Sequence, residues 1–539
     1  MQKLQTLDYV IFFIYFIVVS SYGIWVYNRK KTKDESSTDF FLAEGSLTWW
    51  AIGASLIASN ISAEQMIGMS GNGFSMGLAI STYEWMAAAT LIIVAVFFMP
   101  IYLKNRIFTM PQFLSTRYNP TVAMIMAVFW LFLYILVNLT SILYLGALAI
   151  STISGIDSTL CMIGLAVFAI IITVGGMKVI GYTDVIQVFF LIMGGLATTY
   201  LALNLVSNEF GFGQDTAKGL GLIYEKSSDH FHMIFQQGHK DYMALPGLTV
   251  LIGGMWIVNL NYWGCNQYIT QRALGADLKT ARSGLLFAAF LKLLMPIIVV
   301  LPGIAAYTLH QKGLFQTEML RDGSLNQDNA YPVLLNLLPA GLKGLSFAAL
   351  TAAIVASLAG KANSISTIFT LDLYRKYIKP EATEAQLVWV GRAAVVVAMV
   401  LAIVIAPHMG FEGKGGFQTL QEMTGLVSPG VFAAFIMGFF WKRTNSAGAL
   451  FAIVGGFLIA YSMHKNWLPG ADWTTVPFLD RMGIVFLICV TVMIILGLTM
   501  KDEEKGLAID ASMFKVSNGF AVGSAIIIVT LTFLYSYFW

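Results

Sequence analysis

Four polar residues, Asn60, Ser62, Glu64 and Gln65, crowd into a stretch that should be hydrocarbon-soluble: the apolar run Trp49–Ile57 precedes them and another follows soon after. Polar groups at membrane depth are expensive, and irregular backbone is tolerated there only where it lines a protein cavity. The stretch Ala58–Gly71 therefore predicts a broken transmembrane helix that forms half of a binding site. Ala58, Ile61, Gln65 and Met69 share one face at helical spacing. That face offers backbone carbonyls at the break, one side-chain amide and a thioether. The plainer alternative is an unbroken helix whose polar face packs on its neighbours.

Other residues join this chemistry. Glu84 is an acid among apolar residues, suited to accept hydrogen bonds from a polyhydroxylated ligand. Asn259, Asn261 and Tyr262, followed by Gly264 and Asn266, repeat the interruption in a second helix. Lys292 sits between long apolar runs, where a central lysine costs about 2.5–3.5 kcal/mol, so an inward-facing donor is expected. Gln421 is a further amide, followed by Pro429, which should kink its helix. Ala353, Ser357 and Lys361 recur every fourth residue on one face. A hydroxyl with carbonyls suits a hard alkali cation, but a lysine on that face needs an acid partner. Asp184 lies at a similar cytoplasmic depth.

Composition says what must position these groups. The 539 residues are 57% hydrophobic and 11% charged, with a mean hydropathy of +0.74, which excludes an ordinary soluble domain. Segments of roughly 20 apolar residues recur fourteen times, giving an all-α polytopic membrane protein. One set of alternate loops, including Arg29–Lys33 and Lys501–Lys515, carries most of the loop lysines and arginines, so it is assigned to the cytoplasm and both termini to the outside. The first span lacks a cleavage site and reads as a retained helix. The two anomalies each begin a unit of five spans, and an odd number forces the second unit to be inverted. The organisation is then a peripheral helix and loop over 1–48, a first unit over 49–204, an outer loop over 205–244, a second unit over 245–441, and peripheral helices over 442–539. Cys161, Cys265 and Cys489 suggest neither a disulfide framework nor a metal site. No nucleotide-binding loop or nucleophile elbow is present, so an enzyme is not expected. A partner nucleic acid is not expected either.

The residues now assembled resemble the sodium/solute symporter family over nearly the whole chain, closest to its bacterial sodium/galactose branch. The resemblance rests on Ala51–Gly71, Ser81–Met86, Tyr182–Phe190, Phe287–Lys292, Gln421–Gly430 and Phe440–Arg443. It implies a LeuT-like inverted five-helix repeat with extra terminal helices, in a bacterial inner membrane, as a monomer or weak homo-oligomer. It implies a sodium-coupled hexose symporter working by alternating access. Sugar would be held by Gln65, Glu84, Asn259, Lys292 and Gln421 and stacked on Tyr262, which with Asn60 closes the inner side. Met69, Tyr83 and Phe417 would form the outer gate. Sodium would bind carbonyls of Ala58, Ile61 and Ala353 and the hydroxyl of Ser357.

The chain departs from the family pattern at three places. Ala356 and Ala87 stand where the pattern has serine, and Lys361 where it has an apolar residue. These departures raise two expectations: that Lys361 snorkels to the cytoplasm and sodium binds as usual, or that Lys361 pairs with Asp184 and weakens or partly replaces sodium. The alternative functions are symport of another small solute (inositol, sialic acid or an amino acid) and sugar transport with weakened sodium dependence.

Overall fold

A computed structural model describes residues 4–30, 40–41, 47–321, 323–408, 416–500 and 506–539. The basic residues Lys31, Lys33, Lys501 and Lys505 lie outside these. The chain is mostly helical, and among the described residues a single antiparallel pair of two-residue strands, Leu320–Arg321 and Ser324–Leu325, interrupts it.

Among the described residues ten helices are long and apolar enough to cross a membrane, and the bent pair Phe417–Gly425 and Ser428–Phe440 makes an eleventh. This is fewer than the fourteen expected, and the breaks account for part of the shortfall. The helix Trp49–Asn60 is only 12 residues long and Gly254–Gly264 only 11; each is too short to span alone. Ser158–Thr173 is also short.

The first break falls where the polar cluster placed it. Helix Trp49–Asn60 stops because Ile61 turns extended, at φ −78° and ψ 105°. Its continuation is capped reciprocally. Ser62 Oγ accepts from Glu64 N at 3.1 Å, while Gln65 Oε1 accepts from Ser62 N at 3.0 Å and Ser62 Oγ at 2.9 Å. This is a variant of the capping box. Side chains thus take up amides that would otherwise bond the carbonyls of Ala58 and Asn60, and the Ala58 carbonyl is released from the helix ladder. The helical run then reaches Gly77, whose φ of +73° turns the chain into the next helix. A Cβ there would lie 2.3 Å from the His230 carbonyl, so the turn requires glycine.

The second interruption is displaced from its expected place. Asn259, Asn261 and Tyr262 lie inside helix Gly254–Gly264, and the break comes after it, at Cys265 and Asn266. The reason is local: Asn259 Nδ2 donates to Met255 O at 3.1 Å within its own helix, and Asn261 Nδ2 to Ser428 Oγ at 3.1 Å. Neither amide competes with the helical ladder. The third interruption, a 51° bend, precedes Pro429, which starts the next helix from its first turn instead of kinking one.

The most enclosed of the candidate spans begins with helix Leu342–Thr367. It packs on Gly176–Glu209, Thr6–Lys30, Ser158–Thr173 and the broken helix Trp49–Asn60, which in turn packs on Leu278–Val299. The break thus faces a rigid, buried helix on one side and a lysine-bearing helix on the other.

Candidate substrate cavity and cation site

The breaks and the bend converge on one cavity. Its lining includes Asn60, Gln65, Tyr83, Glu84, Asn259, Tyr262, Lys292, Phe417 and Gln421. All six residues expected to hold the substrate are among these. Of the four gate residues, Met69 is buried but does not line the cavity.

A continuous polar chain runs along one wall. Lys292 Nζ lies 2.5 Å from Glu84 Oε2, with side chains 1% and 3% exposed. It also donates to Asn60 Oδ1, and its ammonium stands 5.1 Å from the centre of the Trp263 ring. Asn60 Nδ2 donates to the Tyr262 hydroxyl at 2.9 Å, and Tyr268 donates to the same hydroxyl. Below Tyr268 the chain continues through Arg272, which donates to the Tyr268 carbonyl and, at 2.8 Å, to Ser55 Oγ. Buried charges persist only when paired and hydrogen-bonded, and each cation here meets that condition.

The opposite end of the cavity is closed by rings. Tyr83 and Phe417 meet edge to face at 5.1 Å. Phe417 lies so close to Gly68 that a Cβ added there would sit 2.7 Å from the Phe417 Cβ. Gln421 and Thr424 line the wall beyond this contact.

The geometry suits a neutral, polyhydroxylated ligand. Glu84 and Lys292 neutralise one another while keeping acceptor and donor capacity. Gln65 uses its amide oxygen in the helix cap, leaving its amide donors for the cavity. Asn261 Oδ1 is buried without a hydrogen-bond partner among the described residues and also lines the cavity.

A second site lies where the break meets helix Leu342–Thr367. Ser357 Oγ is 2.9 Å from the Ser59 carbonyl, 3.4 Å from that of Ala58 and 3.5 Å from that of Ile61. Ala353, one turn before Ser357, is fully enclosed. The carbonyls of Ala58, Ser59 and Ile61 with the Ser357 hydroxyl converge as an oxygen cage of the kind hard cations prefer. These residues fit sodium.

The expected pairing of Asp184 with Lys361 is corrected. Asp184 accepts from Ser55 Oγ at 2.5 Å and lies 3.9 Å from Arg272 Nη2. Lys361 lines the cavity, over the Tyr268 ring at 5.1 Å, together with Glu64. Several lining residues escaped the sequence reading of the site. Glu64 read as part of the polar cluster with no role of its own, and Trp263 and Tyr268 were not singled out. Their signal was present, since they flank the break at Cys265 and Asn266.

The family model described as the sodium:solute symporter family matches residues 40–456. The chain belongs to this family. Sodium is accordingly its co-transported ion. The symporter is 46% identical to the sodium/glucose cotransporter of Vibrio parahaemolyticus over 99% of both chains. It is 34% identical to the human sodium/myo-inositol cotransporter 2, over 84% of this chain and 69% of the relative. Its fold matches that of a Na+-coupled sialic acid symporter solved in a substrate-bound, outward-open state, with a TM-score of 0.78 at 22% identity, covering 92% of this chain and 98% of the other. It also resembles, with a TM-score of 0.52 at 12% identity, a nucleobase–cation symporter. The relatives are cotransporters, and the symporter is a multi-pass membrane protein.

Proposed function

We propose that this protein imports a hexose of the galactose or glucose type together with sodium, by alternating access, across a bacterial inner membrane. The observation that carries the reading is the convergence of Gln65, Glu84, Asn259, Tyr262, Lys292 and Gln421 on one cavity beside the Ser357 carbonyl cage. A 46% identical relative named as a sodium/glucose cotransporter supports it. The alternative solutes, inositol above all, share the hydroxyl chemistry and are separated from hexoses only by measurement.

In this reading Glu84 and the Gln421 oxygen accept from sugar hydroxyls, while Lys292, Gln65 and Asn259 complete the ring of partners. Tyr262 stacks under the sugar and with Asn60 forms the inner closure; Tyr83 and Phe417, backed by Met69, form the outer one. Fourteen spans, with both termini outside, would place two inverted units at 49–204 and 245–441 around these sites.

Coupling follows from the shared break. Sodium bound by the Ala58, Ile61 and Ala353 carbonyls and the Ser357 hydroxyl ties helix Trp49–Asn60 to helix Leu342–Thr367. The sugar binds to Gln65 on the continuation of the same broken helix. Each ligand therefore favours the geometry that the other needs, the condition for a population shift. An inside-negative potential adds about 2.3 kcal/mol per charge per 100 mV. Loss of sodium to the cytoplasm unties the break and frees the sugar. Counterflow of galactose, glucose and inositol in proteoliposomes tests the substrate. Hexose counterflow abolished by Gln421→Ala supports the reading; counterflow of inositol alone refutes it.

A further inference from the structure

Lys361 stands at the joint between the two sites. It lies one turn beyond Ser357 on the same face of helix Leu342–Thr367. The residue is 3% exposed and lines the cavity. Its Nζ is 5.1 Å from the centre of the Tyr268 ring, a cation–π contact. Glu64 lines the same cavity and is held by Ser141 Oγ at 2.9 Å and Ser62 Oγ at 3.3 Å. Glu64 opens the helix that resumes after the break, three residues beyond Ile61, whose carbonyl faces Ser357.

A lysine is therefore rooted one helical turn from an oxygen cage that carries no carboxylate of its own. Glu64 offsets one positive charge. A sodium ion entering the cage adds a second, in a region shielded from bulk water, where like charges repel strongly.

We propose that Lys361 is a tethered cation that sets the sodium affinity of the cage: seated over the Tyr268 ring, it opposes sodium and keeps its binding weak. The inference rests on the cage being the sodium site. Lys361 acts through its field, as a positioning and affinity-setting residue.

Equilibrium binding of radioactive sodium to the purified full-length protein, without sugar, tests this in the wild type and in Lys361→Met, Lys361→Gln and Lys361→Arg. Removing the charge tightens sodium binding roughly a hundredfold, the scale of a unit charge about 6 Å away at an effective dielectric of about 20. Lys361→Arg keeps the wild-type affinity. A merely structural role would loosen binding, whereas tightening is specific to lost repulsion, and the two neutral variants guard against a folding defect in one. Unchanged affinity in Lys361→Met and Lys361→Gln overturns the proposal while leaving the cage intact. Absence of sodium binding in every protein overturns the proposal and the cage together.

Discussion

Lys292 and Glu84, 208 positions apart in sequence, meet at 2.5 Å in a wall where neither side chain is more than 3% exposed. The pair joins helix Leu278–Val299 to helix Thr82–Ile93, and through Asn60 it reaches the first break. Removing one partner of a buried pair strands the other, at a cost of about 3–5 kcal/mol, whereas removing both is milder. Lys292→Met and Glu84→Gln should each lower the thermal stability of the purified protein, and the double variant should recover part of the loss. All three should lose hexose uptake. A double-mutant cycle on melting temperature checks the coupling; additive losses would speak against it.

Ser357 supplies the side-chain oxygen of the cation cage. Ser357→Ala should raise the sodium concentration that half-activates uptake by about tenfold, the scale of one to two lost oxygen contacts. Sugar counterflow at saturating sodium should persist. A sodium titration of uptake is the measurement, and an unchanged half-activation point would place sodium elsewhere.

Gly68 gives Phe417 its seat. A methyl there would lie 2.7 Å from the Phe417 Cβ, and the neighbour is backbone-anchored, so the Tyr83–Phe417 contact must shift. Gly68→Ala should slow concentrative uptake severalfold while leaving sodium binding near its wild-type value. Equal loss of both would indicate general misfolding.

Asp8 caps the cation-site helix from a distance. Its Oδ1 accepts from Gly341 N and Gly344 N, both at 2.8 Å, and the carboxylate is buried. A negative group at a helix N-terminus satisfies free amides and opposes the helix dipole. Asp8→Ala should cost about 1–2 kcal/mol of stability, read as a lowered melting temperature, without changing substrate selectivity.

Much of this site was legible in the chain because polar groups in apolar runs are costly and therefore informative. Gln65, Glu84 and Lys292 stood out for that reason, and the structure brings all three to one cavity. The break after Asn60 was legible because Ser62 and Gln65 carry a cap signature. Partner choice was not. Asp184 and Lys361 seemed matched by depth, but depth leaves the rotation of each helix open, and Arg272 with Ser55 takes Asp184 instead. The second break was misplaced because Asn259 and Asn261 read as helix-breaking amides, whereas their Nδ2 groups donate to a carbonyl of their own helix and to the Ser428 hydroxyl. Glu64 went unassigned because an acid beside a helix start looks like an ordinary end charge.

The account stands or falls on coupled accumulation. Proteoliposomes holding the purified symporter, given an inward sodium gradient and an inside-negative potential, should concentrate galactose or glucose above the outside level. That accumulation should vanish when potassium replaces sodium and in Lys292→Met. Hexose that merely equilibrates, or accumulates equally without sodium, would contradict sodium-coupled hexose symport.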